Sequence, residues 1–565
     1  MSSQLTVTSE QINSLPLLVG IIEEMGIREI IDAEIKAHGH WQGASVGTIV
    51  TIWLAHMLME RDHRLVMVRD WAAERAESIN QLLGIQLRDV DCSDDRLANI
   101  LSMLGSALVQ ARLDSACMQR WIRVYELPRQ TMRLDSTSVS VYHNSTAPES
   151  LMQFGYSKDQ RPDLKQFKVM MATLDPLGMP VMCQTVAGNE ADETLYIPAY
   201  DAAVAALGTS ALLIVGDSKM AALAVRGHFV ASGSYYLSAY RPPSATKQIT
   251  GWIDNALANA HKWQHIEEYN AKTGKPELKA AVMEWARQQQ YLDAGSGETY
   301  SWSERVLMVL STAYQQALRT KREETLRRLT EAIEKFRQQP KRGRKRYGSE
   351  EDLHRAVTKL IDEHRLTDIV HFSLTQTNAE HWIVESVWLD LAAWQQMVAR
   401  LGWQVYVTNT TTEHYEALAL VEAYNQQPIH ERGFARLKTR NLQIRPVYLR
   451  DEERISGLLW LLCLALRVLT LTEYRVRQAL AQHKEKLVGL NPASRTQATD
   501  KPTTERIFKL FSNITLTTII DQFGHSQRHV TPLSPLQQQI ILLLRLPPDL
   551  YLRLAASNLT THLRE

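Results

Sequence analysis

Three acids, Asp135, Asp217 and Glu431, stand in surroundings that could support chemistry. Asp135 lies in Met132-Arg-Leu-Asp-Ser-Thr-Ser-Val-Ser-Val, a short strand pattern. Alone it reads as an Asx or Ser/Thr turn at a strand end. Asp217 follows the apolar run Leu212-Leu-Ile-Val-Gly and precedes a helix, where a single aspartate reads as an N-cap. Glu431 sits in Tyr424-Asn-Gln-Gln-Pro-Ile-His-Glu-Arg-Gly-Phe-Ala-Arg-Leu-Lys438. At about 100° per residue, steps of seven return to within about 20°, so a helix there carries Tyr424, Glu431 and Lys438 on one face, with Gln427 beside them. Pro428 lacks the amide proton that a continuous helix needs, so a kink is expected before Glu431, and the shared face holds best from Pro428 onward. Such a face is either a solvated amphipathic stripe or a surface for a metal and a phosphate backbone. If the fold brings the three carboxylates together, they repel unless hard divalent cations bind. Two ions roughly 4 Å apart are a recurring solution for in-line displacement at a phosphodiester. Two Mg²⁺ ions, with Mn²⁺ able to substitute, are the expected cofactors.

The elements that must position these acids begin at Met132, where the hydrophobic period changes from helix to strand. Phe167 to Leu174 and Met179 to Val186 are two further strands, joined by Asp175-Pro-Leu-Gly. A helix over 192–207, the strand ending at Asp217, a helix from Lys219 and a strand over 235–240 follow. Three strands, helix, strand, helix, strand is the order of the ribonuclease H-like fold, whose first and fourth strands are neighbours. Asp135 and Asp217 would then lie side by side.

The expected architecture is mixed α/β. An all-helical N-terminal domain covers 1–130, and the core occupies 131–244 and 404–480. A large insertion covers 245–403, and a helical C-terminal region covers 481–565. The insertion should hold a helical hairpin, its second helix opened by a capping box at Ser349 and Asp352. The hairpin tip is the basic run Lys341, Arg342, Arg344, Lys345 and Arg346, which is either a solvated tip or a DNA contact acting by counterion release.

The Glu431 segment resembles the third-acid signature of bacterial DDE insertion-sequence transposases, Tyr-x2-Arg-x3-Glu-x6-Lys. Tyr424, Glu431 and Lys438 match it, and Gln427 stands where the arginine usually is. Gly155-Tyr-Ser-Lys-Asp-Gln-Arg-Pro-Asp-Leu-Lys-Gln166 and Gly188-Asn-x-x-Asp192 are also similar to a subgroup of that family. The resemblance implies metal-dependent cleavage and joining of double-stranded DNA, with inverted-repeat ends and target DNA as partners, and a homodimer in the active complex. It also implies DNA contacts at Tyr424, Gln427, Lys438 and Arg432, the last or His430 standing in for the missing arginine. Lys158, Arg161 and Lys165 form either a solvated loop or a phosphate-binding one. Relatives stack an insertion aromatic on a flipped base, and Trp302, Trp382, Trp388, Trp394 and Trp403 are candidates among residues that read first as core.

Composition neither suggests nor excludes DNA: 63 basic residues face 62 acidic ones, so basic groups would have to be gathered on one side. Four dispersed cysteines without a CxxC pair argue for reduced thiols. The longest apolar run, Leu458 to Leu466, is well short of the roughly 18 residues of a membrane span, and no signal peptide is evident at Met1. A cytoplasmic, nucleoid-associated protein is expected. A nuclease that does not join ends, and a domesticated DNA-binding protein without catalysis, remain alternatives.

Overall fold

The computed structural model describes residues 5–37, 39–142, 150–270, 275–293, 295–337, 347–377, 381–494 and 496–556. The chain folds as two compact units, Met1–Tyr235 with Asn425–Glu565, and Tyr236–Tyr424.

In the first unit four strands lie in the order Met179–Ala187, Lys165–Leu174, Thr131–Val141, Leu213–Gly216. The Asp135 strand runs antiparallel to the Lys165 strand and parallel to the Leu213 strand, with Leu134 opposite Gly216. A parallel neighbour requires a crossover, and the helix Asp192–Leu207 supplies it. Both faces of the central strands are covered, so Phe167 to Leu174 is buried throughout and reads in sequence as a continuous run rather than an alternation.

The helix Glu452–His483 is the spine of this unit. By length and composition it is long and apolar enough to cross a membrane, yet it is almost wholly buried within the unit. Asp451 caps it, accepting from the Arg454 amide at 2.9 Å. The N-terminal helices dock on it at backbone distance. A Cβ on Gly457 would lie 2.1 Å from the Leu101 carbonyl oxygen, and one on Gly105 would lie 2.1 Å from that of Glu453. Only glycine permits that crossing. Below it, Arg467 is fully buried and donates to Asp114 (2.7 Å) and to the carbonyls of Pro180 (3.0 Å) and Val181 (2.6 Å). Residue 130 therefore marks a change of secondary structure inside one packed unit.

The expectation of purely helical ends is corrected. Thr6–Gln11 pairs antiparallel with Thr515–Ile520, which pairs in turn with Ser526–Val530. These segments are rich in Thr, Val and Ile, which favour a pleated surface, but each is too short to show its partner some five hundred residues away.

In the second unit the strands Tyr235–Ala239, Trp403–Thr408, Thr299–Ser311, Lys275–Leu292 and Gln264–Asn270 follow one another across a sheet. The expected helical hairpin is present as Thr312–Arg337 and Glu350–Glu363, and Ser349 caps the second helix by accepting from the Asp352 amide at 3.2 Å. With the hairpin Val370–Gln376 and Trp382–Leu389 it encloses a small core of Leu329, Ile333, Leu353, Val357, Ile361 and Val384. The basic run Lys341, Arg342, Arg344, Lys345 and Arg346 lies outside the described residues.

Candidate active site

Parallel pairing fixes the first two acids. One residue beyond the Leu134–Gly216 pair, Asp135 continues its strand while Asp217 leaves the end of the adjacent one, which sets the two side by side. Asp217 Oδ1 accepts from the Tyr196 hydroxyl at 2.6 Å and from the Lys219 amide at 2.8 Å, so its side chain is held by the crossover helix and by its own turn. Asp135 Oδ1 accepts from the Ser136 amide at 2.7 Å. Burial pushes the Asp135 carboxyl up to about 6; the Asp217 charge adds to this and Lys158 opposes it. Burial, with both aspartates next, raises the Tyr196 phenol well above its ordinary range, so it remains a neutral donor.

Lys158 turns inward from its loop. Its ammonium donates to the Ser136 carbonyl (2.7 Å) and hydroxyl (3.0 Å) and lies 3.5 Å from Asp135. Behind it, Lys168 donates to Asp192 at 2.6 Å. Burial works against ionisation of Asp192, but Lys168 and Lys158 outweigh it and hold this carboxyl below its usual range.

The helix of Glu431 is Pro428–Ala435, with Pro428 in its first turn. The expected kink is instead a break: the preceding helix ends at Asn425, and proline opens a new one because its missing N–H costs nothing there. Tyr424 and Glu431 thus do not share a continuous face. Tyr424 belongs to the second unit, its ring 4.3 Å from that of Tyr406.

The buried side of the Glu431 helix packs down through His430, Gly433 and Phe434. A Cβ on Gly433 would lie 3.4 Å from Met171, the residue opposite Asp135 in register, and Gly178 at φ 73° lies against Ile429. Glu431 itself is exposed. The following turn, Arg436–Arg440, is a π-helical segment carrying Lys438, whose ammonium donates to Thr137 (3.1 Å) and Asp159 (2.7 Å). Thr137 lies two residues along the strand from Asp135, on the same face. Lys438 thus reaches the Asp135 side of the sheet. Among the described residues, however, no three His, Cys, Asp or Glu side chains are close enough together to hold a metal ion. The two aspartates fit a hard divalent cation, since their mutual repulsion asks for one. Glu431 is not gathered with them here, and its place as third acid rests on the signature it carries.

Arg432, a candidate for the missing arginine's place, is 40% exposed. It donates to Glu473 at 3.1 Å, and Arg436 bridges Glu473 and Glu505, so the pair ties the Glu431 helix to the spine. Gln427 is half-buried and precedes the new helix without a side-chain capping hydrogen bond. Arg161 is exposed and paired with Asp163 at 2.7 Å, and Lys165 is half-buried over the Phe154 ring. In the second unit Trp302 is buried and donates to the Tyr236 hydroxyl at 2.8 Å, and Trp403 is buried beside Trp263. Trp382 and Trp394 pack against the small core, and Trp388 is half exposed. Sequence reasoning missed Tyr196, Thr137 and Asp159, and also Arg445, which donates to Asp159 at 3.1 Å. Only the Ser-Lys-Asp and Gly-Asn motifs pointed near them.

His430 is fully buried; its Nδ1 lies 2.7 Å from Thr173 Oγ1, and its Nε2 has no hydrogen-bond partner among the described residues. Burial, reinforced by Arg133 and Lys158, lowers its pKa to about 3. The unfolded chain therefore takes up this proton below pH 6.5 while the folded one does not, and stability falls as the pH drops from 6.5 toward 3. Relative to His430→Gln, the wild-type chain should lose about 2 kcal/mol more between pH 7 and pH 5 in urea melts. Parallel losses in the two proteins would show that His430 protonates in the folded state.

Residues 128–468 match the family model described as a transposase DDE domain, and residues 7–112 match a domain of unknown function. No curated protein matches the chain. Among solved structures, it is similar to the piggyBac transposase synaptic complex with hairpin DNA at 10% identity and a TM-score of 0.33, covering 88% of this chain and 79% of that one.

Proposed function

We propose, for a chain that belongs to the transposase DDE-domain family, that it is the transposase of a bacterial insertion sequence, built on a ribonuclease H-like core. The observation that carries this reading is the parallel pairing that sets Asp135 beside Asp217 within the matched region. Asp135 and Asp217, with Glu431 as third acid, would hold Mg²⁺ or Mn²⁺; bound there, divalent ions activate the attacking oxygen and offset charge on the leaving one. Tyr196 and the Lys219 amide fix the orientation of Asp217. Lys158 keeps part of the Asp135 charge neutralised before DNA arrives, and Lys438 places a cation beside Thr137 for the phosphate backbone. Water nicks one strand at the element end, the freed 3′ hydroxyl attacks the opposite strand to form a hairpin, and the reopened end joins target DNA. The N-terminal helices read the ends, and a homodimer holds two ends together on the bacterial nucleoid.

The test is to incubate the full chain with DNA carrying the inverted repeats that flank its own gene. Strand-transfer products are expected with Mg²⁺ or Mn²⁺ and none with EDTA. Cutting without joining would make it a nuclease. Binding without cutting would make it a DNA-binding protein that has lost catalysis, and cleavage that survives EDTA would sink the metal mechanism.

A further inference from the structure

The loop between the Asp135 and Lys165 strands places two consecutive, oppositely charged side chains on the site. Lys158 points at Asp135, as described above. Asp159 points at the neighbouring cations: its Oδ1 accepts from Lys438 at 2.7 Å and its Oδ2 accepts from Arg445 at 3.1 Å. Each oxygen of one carboxylate thus takes one cation, the arrangement that the two non-bridging oxygens of a phosphodiester would take. Lys438 also donates to Thr137, on the strand face of Asp135. The Asp159 and Lys438 side chains are only 16% and 11% exposed, so this pair is largely withdrawn from water, while Arg445 is 32% exposed and marks the open side. The loop is held in this pose: the Lys158 amide donates to the Ser138 hydroxyl at 3.0 Å, and Gln160, next after Asp159, adopts φ 56°, a left-handed conformation that non-glycine residues take at a cost.

We propose that Lys438, Arg445 and the Thr137 hydroxyl form a DNA-phosphate site that Asp159 fills in the DNA-free protein, while Lys158 stands in for a cation at Asp135. The Lys-Asp dipeptide is a built-in surrogate for the ion and phosphate that the site takes when working. The proposal rests on reading Asp135 as part of the catalytic centre. It assigns Arg445 a phosphate contact and Asp159 a masking role. Charge favours the exchange: two cations face one carboxylate, so a phosphate group can replace Asp159 without leaving either uncompensated. Because the site must open first, apparent DNA affinity is reduced by the fraction of molecules with the loop displaced.

The test measures binding of the full chain to a 20-base-pair duplex of unrelated sequence in EDTA, by fluorescence anisotropy across a salt series. Asp159→Asn keeps the side-chain shape and removes the competing charge. It should tighten binding by at least about fivefold and steepen the salt dependence by about one to two in slope, as released cations meet phosphates. Adding Arg445→Gln should cancel much of that gain. Arg445→Gln in the otherwise unchanged chain should flatten the slope by about one, a readout that stands even if the Asp159 variant does not fold. Unchanged or weaker binding by Asp159→Asn, or an unchanged slope in Arg445→Gln, would overturn the proposal. No metal or cleavage enters this measurement, so its outcome is separable from that of the transposase reading: active-site variants that still cut would sink the latter and leave this result standing.

Discussion

Asp135→Asn and Asp217→Asn are each expected to lower DNA cleavage and joining by on the order of a thousandfold, about 4 kcal/mol of barrier, while leaving the protein folded. The two substitutions remove one charge from a pair that the parallel strands force together. For Asp135 a second, opposite effect follows. Its carboxyl titrates at about 6 in the folded chain against an ordinary 3.8, so above pH 6 it is ionised in both states and the folded one carries the penalty. A folded pKa raised in this way means that stability is gained as the pH falls from 6 toward 3.8 and is missing above 6. Without divalent ions at pH 7.5, Asp135→Asn should therefore be more stable than the wild-type chain by about 1–3 kcal/mol, and the advantage should vanish near pH 4. Glu431→Gln should lose comparable activity without this gain, because Glu431 is exposed. Cleavage assays and thermal melts on the same preparations separate the two effects. Near-normal cutting by an Asn variant would remove that residue from the mechanism, and an unchanged melting temperature for Asp135→Asn would mean that no electrostatic penalty is held there.

Removing either partner of the Arg467–Asp114 pair should cost about 3–5 kcal/mol, the largest stability effect expected in the first unit. Both side chains are buried, the Trp460 indole also donates to Asp114 at 2.9 Å, and Arg467 serves two strand carbonyls besides. Arg467→Met leaves Asp114 buried without its cation and two carbonyls without a donor; Asp114→Leu leaves a buried guanidinium unpaired. The double variant should recover only part of the loss, because the Pro180 and Val181 carbonyls still lack their donor. By the same reasoning residues 131–565 alone should fail to fold cooperatively. They lack Asp114, the helix that meets Gly457, and the strand that pairs with Thr515–Ile520. Urea unfolding gives the answer: a loss below 1 kcal/mol in Arg467→Met, or a cooperative transition in the truncated chain, would show that the N-terminal helices are an independent domain. The consequence is direct, since any movement of those helices would reach the sheet of Asp135 through the spine.

What the sequence determined by itself was local. The strands around Asp135 and Asp217, the crossover helix at 192–207 and the insertion hairpin follow from hydrophobic period and turn chemistry, which act over a few residues and leave their mark in the chain. The types and spacing of Asp135, Asp217, Glu431 and Lys438 likewise pointed, through the signature they resemble, to metal-dependent phosphodiester chemistry before any contact was known. Tertiary structure decided what lies between distant segments. Lys275–Leu292 is made largely of good helix formers, yet it is a long strand, because Thr299–Ser311 offers a ladder partner from Ala280 to Leu292 and Gln264–Asn270 offers one to its first residues. The sequence likewise does not show that Arg432 meets Glu473 on the spine. Asp159, Arg445 and Tyr196 acquire their roles only where a loop, a turn and a helix converge on one strand. Ion pairs and hydrogen bonds across such distances leave no periodic trace in the sequence, because either partner could equally have faced water; the fold alone chooses which charges meet.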